Sequence, residues 1–591
     1  MDHGRTDERH VGMRRVAQPV SQIALQRVTR PESKSVSEPE TAPSKQPALN
    51  PQAQPSQQHA VYEAEDQRPV AATWSAAHAG RRATVVRVEC ALGRGFSGMV
   101  MIGNLGQVCD DGKERARAAL ERLGWSAPPQ RHLISVSPAD LKVDHSHLDL
   151  AFAVVLAGIQ EAPQWEVDAT QWLFAAEIGL DGELRPVTGV VAWAAAAMRQ
   201  GLSGIVVAAE NLREMRCLEA ISGMGSSGFR VLGFRALKDT LAWLRGGGYE
   251  YLATPIDDHT AAIAMDFDDM DLGEDMATLA LVCAAGPHSI LMRGSPGTGK
   301  SMFARRLSSI LPLMTQSEHL NALGVHSTAV ARVDAAIIAG VPPFRAPHHF
   351  TSLAAIVGSG TGPGELALAS GGVLFLDELT EFRRDVLEGL REPLEDGEVQ
   401  ISRAGGSRSW TARVILIAAA NNCPCGWYGS KRRHCECPTT KLIAYRNRLS
   451  GPLLDRIDLH VNMEEPTNQV QALLAAPSKR MGQTDVLRRQ VLTAREIAKS
   501  RESVTGVELN RDLPPSAVLA AFMIPKEEAL SLIERVIPKH ASARSLMRCL
   551  RVARTIADVR GRDAVQDGDL ELAWSWQAWS AAKARGEVLP I

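Results

Sequence analysis

The run "SILMRGSPGTGKSMFARRL", Ser289 to Leu307, constrains the fold more than any other part of the chain. An apolar stretch leads into a glycine-rich loop, and a helical pattern follows. The loop fits G-x-x-x-x-G-K-[ST] through Gly294, Gly299, Lys300 and Ser301. Glycines let the backbone curl until successive N–H groups point at phosphate oxygens, and the helix N-terminus adds its positive end. Gly294, Ser295, Pro296, Gly297, Thr298, Gly299, Lys300, Ser301 and Met302 are therefore expected to cradle the phosphates of a nucleotide. Lys300 should reach the β- and γ-phosphates, and the Ser301 hydroxyl should ligate Mg²⁺.

A loop of this kind works with groups on neighbouring strands. "GGVLFLDELTEF" ends an apolar run at Asp377 and Glu378. The aspartate is placed to hold the Mg²⁺ shell and the glutamate to activate water. "RVILIAAANN" is a further apolar run, and its last residue before the break, Asn421, can sense the γ-phosphate. These runs read as buried parallel strands between helices. The fold class is thus α/β and multidomain. The divisions expected are a tail over 1–72, an α+β domain over 73–250, a P-loop core over 251–483 and a helical domain over 484–591. The tail is rich in Pro, Gln, Ser and charge, with too little apolar surface to offset the entropy of ordering it.

The net charge of −2 does not suggest a generally basic nucleic-acid binder and does not exclude one, since a channel can be lined by a few arginines while the whole surface stays neutral. No apolar run reaches membrane-spanning length and the N-terminus has no apolar signal core, so a cytoplasmic protein with no membrane partner is expected. Nine cysteines, five of them scattered singly, do not make a disulfide framework. The other four, Cys423, Cys425, Cys435 and Cys437, lie together in "CPCGWYGSKRRHCEC". They could close a structural Zn²⁺ site, with His434 as a substitute ligand, or remain reduced or redox-sensitive thiols; the C-x-C spacing leaves both open.

"GSPGTGKS", "FRAPHHFTS", "GPGELALASGGVLFLDEL", "PLEDGEVQISRA", "AAANNCPCGWYG", "RLSGPLLDRIDLHV" and "SARSLMRCLRVARTIAD" together resemble the ComM/YifB family of Mg-chelatase-like AAA+ ATPases, from about Ala72 onward. The resemblance implies an AAA+ P-loop core, a C-terminal helical lid and a Lon-protease-like N-terminal α+β domain. It also implies a homo-oligomeric ring, read as a hexamer, with ATP and Mg²⁺ between subunits. By position Arg456 matches the trans-acting finger and Arg544 the second sensor, while Asn421 matches the first. The family includes a competence-associated helicase that drives branch migration of DNA.

Two checks follow from the resemblance. Where a Lon-type Ser–Lys dyad would lie, Trp193 falls at the lysine and His147 near the serine, with Ser146 adjacent, so no peptidase is expected. "DFDDMDLGEDMATLAL" and "IGNLGQVCDDGKERAR" depart from the family pattern, which allows a divergent paralogue. "EVQISRAGGSRSWTARVIL" reads as a hairpin with Arg403 and Arg408 near its tip and Trp410 on the returning strand. Arginine neutralises phosphates and an aromatic stacks on bases, but a solvated hairpin fits the chemistry equally; the resemblance favours DNA. His348 and His349 point in different directions without a third ligand, and a loop role is expected for them. The function expected is an ATP-driven DNA translocase or branch-migration helicase, the alternative a chelatase-type or protein-remodelling motor.

Overall fold

The computed structural model describes residues 69–79, 82–139, 145–248, 265–270, 272–360, 362–403, 406–465, 482–539 and 541–577. The expected tail lies outside them except at its end, where the first strand already starts at Val70. The globular part thus begins ahead of the boundary at 72 read from the sequence.

β1 (Val70–Ala79) and β2 (Arg82–Gly93) form a long antiparallel pair, with Val70 opposite Ala91. β3 (Gly98–Ile102), β4 (Arg131–Ser137), β5 (Trp172–Ala175), β6 (Gly204–Ala208) and β7 (Arg230–Phe234) complete a mixed seven-stranded sheet in the order β3-β4-β2-β1-β5-β6-β7. Helices α1 (Gln107–Arg122) and α2 (Asp149–Glu161) share its core. α2 is buried from Asp149 to Ile159, as its unbroken apolar run requires. The segments examined for a Ser–Lys pair do meet: the His147 ring lies 4.1 Å from that of Trp193. The His147 imidazole also sits 2.6 Å from the Ala76 carbonyl. An indole tilted against an imidazole fills that spot.

α3 (Val190–Arg199) and α4 (Leu212–Ser222) carry this region into the next. Leu212, Met215 and Val191 share one apolar cluster with Leu323 and Ile337. The Asn211 amide donates to the Ala331 carbonyl across the same seam.

The second sheet is wholly parallel. Its strands are β8 (Ile290–Arg293), β9 (Phe344–Arg345), β10 (Val373–Leu376), β13 (Ile415–Ala420) and β14 (Leu459–Asn462), in the order β9-β10-β13-β8-β14. β11 (Glu398–Arg403) and β12 (Gly406–Thr411) form a separate hairpin ahead of β13. β10 and β13 are buried at every residue, which explains their continuous apolar runs. Around the sheet lie α5 (Glu274–Ala285), α6 (Lys300–Leu307) and α7 (Gln316–Ala329). After α8 (Thr439–Arg446) the longer helices among the described residues are α9 (Gln483–Ser500), α10 (Lys526–Val536), α11 (Ala543–Val559) and α12 (Asp567–Ser575). They share a core with α5 and β8. Among the described residues no helix is long and apolar enough to cross a membrane.

Candidate nucleotide site

All five strands run the same way, so their C-terminal ends share one edge, where ligands of open parallel sheets bind. That edge gathers Gly294 after β8, Asp377 after β10 and Asn421 after β13. Between β8 and α6 the loop has positive φ at Gly294 (153°), Gly297 (80°) and Gly299 (87°). A side chain is also excluded by space at Gly294, where a Cβ would lie 2.6 Å from the Met463 carbonyl oxygen. The loop therefore needs glycine for both conformation and space.

Lys300 reaches back into the concavity. Its ammonium donates to the carbonyls of Gly294 (2.8 Å) and Ser295 (2.9 Å) and to the Thr298 hydroxyl (3.3 Å). Burial lowers its pKa, against the opposing pull of Asp377. The Ser301 hydroxyl donates to an Asp377 carboxylate oxygen at 2.8 Å, so the two expected Mg²⁺ ligands are in contact. A hard cation takes oxygen ligands of this kind, and a polyphosphate takes a ring of backbone N–H groups with one ammonium. The residues present fit both. Met302, also in the expected set, is exposed on the first turn of α6.

Glu378, the glutamate expected to activate water, has a left-handed backbone (φ 51°, ψ 47°), an unusual conformation for a residue with a side chain. Its carboxylate lies 3.3 Å from Nδ1 of His349. His349 packs 4.4 Å from the Phe350 ring and edge-on to the buried Phe382. Sequence reasoning assigned the two histidines only a loop role. The available signal was that "APHH" follows the short strand β9; the pairing of β9 beside β10 brings that loop to Glu378.

The two arginines read from the resemblance lie elsewhere. Arg456 and Arg544 both pair with Glu395, Arg544 at 3.0 Å. They border a charged cleft of about 420 Å³ that also includes Arg413 and Asp512. Ser289, Val414 and Asp458 line it too, and these residues immediately precede β8, β13 and β14. The cleft is therefore at the opposite edge of the sheet from the loop, separated by the length of strands that rise about 3.3 Å per residue. Within one chain these arginines are not brought to Lys300.

The departing segment before α5 braces the phosphate-loop helix. Asp269 holds Arg306 of α6 through two 2.6 Å hydrogen bonds, and Phe267 packs on Phe303. Asp268 accepts from the backbone N–H groups of Gly482 and Thr484, tying the segment to α9.

In the hairpin Val399 faces Trp410 and Ile401 faces Arg408, so both candidate contact residues share a face with the buried Val399. The indole nitrogen of Trp410 is buried. Trp410 and Arg408 are both half-buried on that face. The Arg403 side chain lies outside the described residues.

After Asn421 the four cysteines converge. Their sulfurs all lie within 4.8 Å of one another, with Cys423–Cys425 at 3.3 Å, Cys425–Cys435 at 3.6 Å and Cys423–Cys435 at 3.7 Å. This cluster is compatible with a tetrahedral metal; His434 is exposed and outside it.

A phosphate loop, a Ser–Asp contact and a strand-end asparagine on one parallel sheet edge define an AAA+-type P-loop protein. The family description "Magnesium chelatase, subunit ChlI" matches residues 266–471, "Subunit ChlI of Mg-chelatase" 88–211, and "Magnesium chelatase, subunit ChlI C-terminal" 482–577. The competence protein ComM of Haemophilus influenzae is 34% identical over 524 residues, 86% of this chain and 97% of its own length. The uncharacterized protein YifB of Escherichia coli is 33% identical over 506 residues, 84% of this chain and 95% of its own. The rice DNA replication licensing factor MCM7 is 25% identical over 293 residues, 49% of this chain and 36% of its own. The chain belongs to the ComM/YifB family of Mg-chelatase-like AAA+ ATPases.

Proposed function

We propose that this chain is an ATP-hydrolysing motor that works as a ring of identical copies, a hexamer by its family resemblance, and moves branched or single-stranded DNA. The observation that carries this reading is the separation just described. Lys300, Ser301 and Asp377 lie at one edge of the sheet, Arg456 and Arg544 at the other. A phosphoryl-transfer site needs cationic charge beyond the loop lysine, often an arginine from a neighbouring subunit. A second copy would bring its arginine edge against the phosphate edge of the first.

In this reading Gly294–Ser301 bind the triphosphate, and Lys300 leaves its own loop carbonyls for the β- and γ-phosphates. Ser301 and Asp377 hold Mg²⁺, which neutralises charge on the phosphate oxygens when bound. Glu378 orients the attacking water and accepts its proton, His349 positions that carboxylate, and Asn421 lies where the γ-phosphate is sensed. Arg456 and Arg544 exchange Glu395 for the neighbour's phosphates. Support for DNA comes from the hairpin with Arg408 and from the likeness to a competence protein and a DNA replication factor. The matched chelatase descriptions favour a second reading, a motor that remodels a protein partner.

The test is ATP hydrolysis by purified chain with and without DNA, alongside movement of a synthetic four-way junction. Lys300→Ala and Arg456→Ala should each be inactive. Mixed together they should regain part of the activity, because some contacts then pair an intact loop with an intact arginine. Junction movement by Lys300→Ala, or no recovery on mixing, would overturn the shared-site reading. An ATPase indifferent to DNA would move the function to the second reading.

A further inference from the structure

We propose that Cys423, Cys425, Cys435 and Cys437 bind one structural Zn²⁺, and that the loop it closes braces the phosphate loop, making nucleotide affinity depend on zinc. The first argument is geometric. Zinc–thiolate bonds of about 2.3 Å in a tetrahedron place the sulfurs about 3.8 Å apart. The contacts of 3.3, 3.6 and 3.7 Å approach that spacing and are far beyond the roughly 2.05 Å of a disulfide. The Tyr428 N–H also donates to the Cys423 sulfur at 3.3 Å, a bond that stabilises a thiolate.

The second argument is energetic. Residues 422–438 contain no helix or strand, and only Cys423 and Gly426 are buried among them. Ordering each residue costs about 1–2 kcal/mol of backbone entropy. Two buried residues cannot offset that, whereas a metal tying both ends of the loop can. Reduced thiols supply no staple, and the sulfurs are not at disulfide distance.

The brace is visible in the contacts. A Cβ on Gly426 would lie 2.7 Å from Cγ of Pro296, so the loop backbone sits directly on the phosphate-loop proline. Arg432 pairs with Glu465 at 3.6 Å, two residues past Met463, whose carbonyl crowds Gly294. Asn421 stands at the root of the same loop. The ion would thus hold the wall of the concavity in which Lys300 lies. This half of the proposal rests on reading Gly294–Ser301 as the nucleotide site.

Metal analysis of the purified full chain should find one zinc per chain; no metal, or iron in its place, overturns the zinc assignment. Cys435→Ser should lose the zinc, and its affinity for a fluorescent ATP analogue should fall at least tenfold while the circular dichroism is retained. Gly426→Ala should keep the zinc yet bind the analogue more weakly. Equal affinity in Gly426→Ala and wild type overturns the brace whether or not the cysteine variant folds. Lys300→Ala separates the two readings. If neither it nor the wild type binds the analogue, the nucleotide reading fails and the brace with it, while the zinc count still decides the metal site.

Discussion

In the proposed reaction, His349 is a positioning residue for the Glu378 carboxylate. Its ring meets the Glu378 carboxylate at 3.3 Å while wedged among Phe350, His348 and Phe382. A carboxylate on a left-handed residue has few neighbours to fix its direction, and a small misplacement costs rate steeply. Glu378→Gln should lower kcat by about 10²–10⁴-fold with nucleotide binding kept. His349→Ala should lower kcat by about tenfold or more with the KM for ATP unchanged, and His349→Gln should restore part of it. A rise in KM at constant kcat would assign His349 to binding instead. The meeting of Ser301 and Asp377 was legible in the sequence because it follows from strand-end position and loop spacing. His349 was not, because its role depends on two strands far apart in sequence lying side by side.

At the scale of elements, the parallel strands announced themselves by apolar runs buried on both faces. The pairing of β11 with β12 did so by its glycine turn. What the register added was that Trp410, half-buried, lies directly opposite the buried Val399 and packs against it. Trp410→Ala should therefore destabilise the fold by about 2–3 kcal/mol, less than full burial would give, and be read as a lower Tm. Arg408→Ala should instead weaken DNA binding and flatten its salt dependence. The C-terminal helices hold a different kind of core. Asp558 accepts from Arg501 at 2.8 and 2.5 Å, from Arg554 at 2.8 Å and from Asn510 at 2.7 Å, with the carboxylate wholly buried. Removing it by Asp558→Ala strands two buried guanidinium groups and should cost about 3–5 kcal/mol, seen as an early-melting phase in calorimetry. The helical run was legible from its periodicity. The network was not, since Arg501, Asn510 and Arg554 read singly as surface residues.

Across the whole molecule, the seam between the first sheet and the phosphate-loop module carries a buried acid. Burial pushes the Glu214 carboxyl up to about 7, although Asn211 and Ser327 hydrogen-bond to it and pull the other way. The folded chain then holds a proton that the unfolded one releases near pH 4.5, so stability falls as pH rises from about 4.5 to 7. Thermal melts across that range should show this loss, and Glu214→Gln should remove much of its slope. The opposed edges of the parallel sheet have a consequence for symmetry. A front and a back that differ cannot be matched by a twofold axis, which would set phosphate edge against phosphate edge. Copies joined on this contact run head to tail. An open row always leaves one cradle without arginines and one arginine pair without a cradle. Only closure removes both, and in the proposed closed ring a lesion in one subunit's arginine would silence its neighbour rather than itself.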